Sequence, residues 1–80
     1  MIASPTTQAP AVRLDYERRL ILLPAAAGHY SYEIALSDLA TPEQVLAWVY
    51  FLCDKSWFST EVMRDFIGAA SRVHGFSLTI

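Results

Sequence analysis

Eighty residues make one domain, near the size at which a single core just holds a fold together. A content of 54% hydrophobic and 12% aromatic residues can supply that core and excludes a chain disordered throughout. Eight acids against six bases leave a net charge of −2, so no broad basic field is expected for nucleic acid.

Residues 1–10, MIASPTTQAP, are small and polar with two prolines and read as a flexible tail ahead of a single domain over 11–80. They carry no basic stretch leading into an apolar run, so no signal peptide is expected. From Val12 the chain alternates, with Val12, Leu14 and Tyr16 on one side and Arg13, Asp15 and Glu17 on the other. That period of two predicts a half-buried strand, which continues through RLILL until Pro24 stops it. PAAAG predicts a turn, with Gly28 as its permissive position. HYSYEIAL alternates again, placing Tyr30, Tyr32, Ile34 and Leu36 on one face, and the two runs predict an antiparallel hairpin. His29, at the strand start, is expected at the surface.

TPEQ is a helix opening. Thr41 caps, Pro42 takes the first helical position, Glu43 suits the positive end, and Gln44 completes a capping box. This helix is expected to reach about Lys55. A second one opens at FSTE, with Ser59 as cap, Glu61 in the first turn and Phe58 placed to staple onto Met63. It runs to His74, and Gly75 is its natural terminator. FSLTI alternates once more and predicts a third strand. The expected order is β-β-α-α-β, an α+β domain with two helices packed on one face of a small antiparallel sheet.

The two helices differ on a wheel of about 100° per residue. In the second, Val62, Phe66, Ala69, Ala70 and Val73 gather with Met63 and Ile67, opposite Arg64, Asp65, Gly68, Ser71 and Arg72. The first contains VLAWVYFLC, residues 45–53, nine apolar or aromatic residues in a row. That is far short of the roughly 20 residues needed to cross a bilayer, so the chain is expected to be soluble. Val45, Val49, Leu52 and Cys53, flanked by Leu46 and Trp48, form the arc expected against the sheet. The opposite arc, which should be polar, holds Glu43, Ala47, Tyr50, Phe51 and Asp54. Either Tyr50 and Phe51 are wedged between the helices, or they form an exposed aromatic patch with an acidic rim, the anatomy of an interaction surface. Trp57, on the inter-helix segment, either plugs the end of the core or stands out as a binding anchor.

Little points to catalysis. Cys53 lies inside the apolar run, where cysteine is expected to act as a small buried hydrophobe. As the lone cysteine it excludes an internal disulfide framework and a thiolate zinc site, and the absence of disulfides suits a reducing cytoplasm. Glu61 and Asp65 lie at i, i+4, but Arg64 and Arg72 share their face, so a solvated charged surface is expected. The three glycines form no phosphate-cradling loop, and His29 and His74 stand apart. No enzymatic activity, cofactor or metal is expected.

The segment YEIALSDLATPEQVLAWVYFLCDKSWFSTEVMRDFI, residues 32–67, resembles a group of short proteins of phages, prophages and plasmids. The shared pattern is a strand with Tyr32, Glu33, Ile34 and Leu36, a helix with Val45, Leu46 and Trp48, and a loop with Lys55 and Trp57. Position 47, often acidic in that pattern, is Ala47 here. Proteins of this kind with a known role tend to inhibit host defence, so the chain resembles an anti-CRISPR protein. The resemblance implies a non-enzymatic inhibitor in the host bacterial cytoplasm. It would bind a subunit of a Cascade-type CRISPR effector, as a monomer or weak homodimer, and block target DNA. The residues expected to meet that partner are Glu43, Ala47, Tyr50, Phe51, Asp54, Trp57, Glu61 and Asp65, with the acids contributing more than the arginines. The alternative is a small regulatory protein that binds DNA or a repressor through Arg13, Arg18 and Arg19. A structural or accessory subunit that self-associates through the first helix is a third possibility.

Overall fold

The computed structural model describes residues 11–26 and 29–79. The expected tail at 1–10 and the turn position Gly28 lie outside the described residues. Three strands come first: β1 (Arg13–Asp15), β2 (Leu20–Leu23) and β3 (Tyr32–Ala35). A 3-10 turn (Leu36–Leu39), helix α1 (Pro42–Leu52) and helix α2 (Thr60–His74) follow. The sheet is antiparallel in the order β1-β2-β3, giving an α+β domain.

All three strands precede the helices, which corrects the expected β-β-α-α-β order at two places. The run from Val12 to Leu23 is not one strand but two, folded back through Tyr16–Arg19. Asp15 makes that turn: its carboxylate accepts the Arg18 backbone N–H at 3.0 Å and the Arg18 Nε at 3.0 Å. Arg19 completes it in the left-handed region at φ 59°, a conformation that few side chains adopt. At the other end, Phe76–Thr79 is irregular rather than a third strand. Gly75 turns the chain at φ 80°, and the N–H groups of Gly75 and Phe76 both donate to the Ser71 carbonyl. The Ser71 hydroxyl donates to the Phe76 carbonyl at 2.8 Å. The tail is thus fastened to the helix it has just left. Ser71, on the polar side of the wheel, is buried because that local acceptor satisfies its hydroxyl.

The register pairs Ile21 with both Leu14 and Ile34, so the apolar sides of the three strands coincide. α2 lies against β2, whereas α1 lies against the 3-10 turn and α2. Between them the largest fully buried side chains are Phe66, Ile21, Leu23, Ile34, Leu39 and Leu52, each contributing about 1.5–3 kcal/mol by leaving water. Phe58 is buried edge-on against Phe66, with ring centroids 6.1 Å apart. The His74 ring shares a 2.9 Å hydrogen bond with the Leu36 carbonyl, tying the end of α2 to the 3-10 turn. Cys53 is exposed rather than buried: α1 ends at Leu52, short of the expected Lys55, and Cys53 caps it with its N–H donating to the Val49 carbonyl. Among the described residues no helix is long and apolar enough to cross a membrane.

Candidate interaction surface on the first helix

Two local devices hold α1. At its start the Thr41 hydroxyl accepts the Gln44 N–H at 3.2 Å, and the Gln44 side-chain oxygen accepts the Thr41 N–H at 3.0 Å. Since Pro42 has no N–H, this reciprocal box satisfies two of the three amide groups that this helix start leaves unpaired. Along its length only Val45 and Leu52 are buried, with Trp48 and Val49 half-buried beside them. The cap and these anchors leave the opposite face in solvent.

That face is aromatic. Tyr50 is 84% exposed and Phe51 51%, and Glu43, Ala47 and Asp54 are exposed with them. Phe51 is not loose: Trp48 meets it edge-on at 5.8 Å, and the Lys55 ammonium lies 4.6 Å from its ring centroid. Ala47, Trp48 and Phe51 line a shallow, open depression of about 270 Å³. Leu46, expected to flank the sheet-facing arc, is 69% exposed. It lines a second apolar groove of about 200 Å³ that runs between α1, α2 and the C-terminal segment past Ile67 and Leu78. Single exposed apolar side chains are ordinary on a surface; here Leu46, Tyr50 and Phe51 are exposed together on one helix.

The expected contact residues divide. Glu43, Ala47, Tyr50, Phe51 and Asp54 come together along α1. Trp57 is half-buried, with its ring 5.4 Å from Tyr32 and 6.1 Å from Phe58, at the margin of the core. Asp65 is half-buried and accepts the Ala11 N–H at 3.1 Å, pinning the chain just before β1 to α2. Its expected place on a solvated acidic face is corrected accordingly. Glu61 is exposed in the first turn of α2, where its charge suits the positive helix end. Sequence reasoning missed Leu46 and Lys55. The signal for Lys55 was its place four residues after Phe51, where a long basic side chain reaches back over an aromatic ring.

Two of the basic residues on the sheet side, Arg18 and Arg13, meet other side chains, and Arg19 is exposed. Arg18 bridges Asp15 at 3.0 Å and Glu33 at 3.2 Å, crossing from the β1–β2 turn to β3. The Arg18 backbone N–H and then its guanidinium hold the Asp15 carboxyl below its ordinary range, and the paired acids raise the Arg18 pKa in return. The Arg13 guanidinium sits 5.5 Å over the Tyr30 ring. Among the described residues no group of three or more His, Cys, Asp or Glu could hold a metal ion. Compared with known proteins, the chain matches no family model, no curated protein and no solved structure.

Proposed function

We propose that this protein is a non-enzymatic binding module that engages a protein partner through the exposed face of α1. One observation carries the reading: Tyr50, Phe51 and Leu46 stand in solvent on a helix that the core grips only by Val45 and Leu52. Large aromatic anchors ringed by charge are the residues on which binding energy concentrates. Glu43 and Asp54 at the two ends of the patch suit a partner that presents lysine and arginine.

The resemblance of residues 32–67 gives the specific form of the proposal. The protein is an anti-CRISPR inhibitor acting in the bacterial cytoplasm, and its partner is a Cascade-type effector subunit whose basic channel holds nucleic acid. Occupying that channel with an acidic, aromatic face competes with target DNA, whose own affinity is largely electrostatic. A rigid complementary surface is sufficient for such an inhibitor.

The test is capture of the purified effector on the immobilised chain, with and without target DNA. Binding that DNA suppresses, and that Tyr50→Ala weakens, supports the proposal. Retention of DNA by the chain alone on a filter at low salt, falling steeply as salt rises, overturns it in favour of a DNA-binding regulator that uses Arg13, Arg18 and Arg19. The Asp15 and Glu33 contacts of Arg18 offset the charge of that one residue, and Arg13 and Arg19 keep theirs.

A further inference from the structure

α2 carries a second stripe beside the one it buries against β2. Thr60, Met63, Arg64 and Ile67 recur at i, i+3, i+4 and i+7, so they stand in line along one side of the helix. With Leu78 of the C-terminal segment they line a recess of about 470 Å³. Ile67 and Leu78 also line the groove of about 200 Å³ that reaches α1 at Leu46 and Val49. The shared pair joins the two into one trough. Its ends differ in chemistry. Toward α1 every lining side chain but Ser77 is apolar, whereas toward the start of α2 the trough is bounded by Thr60 and Arg64. We propose that this trough binds a single-chain anionic amphiphile, such as a fatty acid, with the acyl chain along Leu46, Val49 and Ile67 and the carboxylate at Arg64.

Charge and lining together select this occupant. Arg64 is exposed and, among the described residues, makes no ion pair. Of the acids near it on α2, Glu61 does not bridge to it, and Asp65 is spent on the Ala11 N–H. A carboxylate at that guanidinium gains a charge-assisted hydrogen bond. Ligand sites are concave and mostly apolar, with a few polar groups that fix orientation, and this trough has its polar groups at one end. An extended peptide would bring N–H and C=O groups that the lining from Leu46 to Met63 cannot satisfy. A hydrocarbon chain brings none. Leu46 and Leu78 are exposed on its walls, so the trough is open on one side and the chain lies partly in water. Each methylene that does leave water strengthens binding by at most about fourfold. The site goes beyond the partner reading, whose aromatic anchors Tyr50 and Phe51 lie outside the trough.

Isothermal titration of the full chain with dodecanoate, held below its micelle concentration, tests the site, with circular dichroism to confirm folding. The wild type saturates at one equivalent, and decanoate, two methylenes shorter, binds about tenfold more weakly. Dodecyltrimethylammonium, with the same chain and the opposite charge, binds more weakly than dodecanoate. Arg64→Gln, a surface change, weakens dodecanoate about fivefold and does not weaken the cationic probe. Leu78→Asp, which sets a carboxylate in the trough at an exposed position, weakens dodecanoate as well. Tyr50→Ala binds it as wild type does. The absence of saturable binding overturns the proposal, as does uptake of many equivalents. So does equal affinity for the two head groups, an Arg64→Gln chain that binds dodecanoate like wild type, or a loss of binding in Tyr50→Ala. No effector enters the readout, so this site and the partner reading fail separately.

Discussion

The two helices of this domain solve the same problem in opposite ways. α2, with 15 residues, buries Val62, Phe66, Ala69 and Ala70 as one stripe and meets the chain ahead of β1 through Asp65. Its sequence is ordered by period, apolar on one side and charged on the other. α1, with 11 residues, is far more apolar yet buries only Val45 and Leu52. It is ordered by its cap, and much of its apolar surface is left to solvent. Hydrophobicity and burial are thus separate properties of a helix: in α2 the apolar residues build the fold, and in α1 a pair of them does so while the rest face outward.

The comparison breaks first at its strongest point. Phe66→Ala, in the fully buried stripe of α2, should cost about 3–5 kcal/mol by removing buried area and leaving a cavity. In a domain of this size such a loss unfolds much of the population at room temperature, which a denaturant curve will show. Leu52→Ala should cost about 2–5 kcal/mol, since it removes one of only two fully seated anchors of α1. If it costs less than 1 kcal/mol, α1 is held by something other than its anchors. Thr41→Ala should cost about 1 kcal/mol by breaking the capping box. The equivalent change at Ser59, whose hydroxyl accepts the Val62 N–H at 3.2 Å, should cost α2 less of its helicity, because α2 has more buried contacts to fall back on. Circular dichroism of the two cap variants compares them directly.

A smaller effect lies outside both helices. The Arg18 N–H and guanidinium hold the Asp15 carboxyl below its ordinary value of 3.8. Its ionised form favours the folded hairpin, so that contribution is present above the ordinary value and is lost as pH falls through the lower, folded one. An NMR titration of the Asp15 carboxyl should have its midpoint below 3.8. Asp15→Asn should remove the acid sensitivity of the β1–β2 turn.

What the sequence made legible was local. The Thr41–Gln44 box, the Ser59 cap and the Gly75 turn depend on a few adjacent residues, and each stands where the pattern puts it. A wheel places Tyr50 opposite the Val45–Leu52 side but leaves open whether the second helix covers it, and only the packing shows Tyr50 and Phe51 in solvent. The β1–β2 turn was not, because YERR lacks glycine, proline and asparagine. Its cue was Asp15 bonding three residues ahead, which a period-two reading absorbs into a strand. FSLTI has the alternation of a strand, but a strand also needs a free edge to pair with, and Ser71 and Gly75 commit the chain elsewhere. Asp65 looked like surface because its partner, Ala11, is 54 residues away. Contacts at that range leave no trace in spacing.

The central claim is that the aromatic face of α1 is contact surface and not core. Its most direct test is the melting curve of Tyr50→Ala, recorded beside wild type and Leu52→Ala. Tyr50 is 84% exposed, so its truncation should change stability by no more than about 0.5 kcal/mol, and the curve should overlay that of wild type. If Tyr50→Ala melts as early as Leu52→Ala, the ring belongs to the core and the account of α1 is wrong.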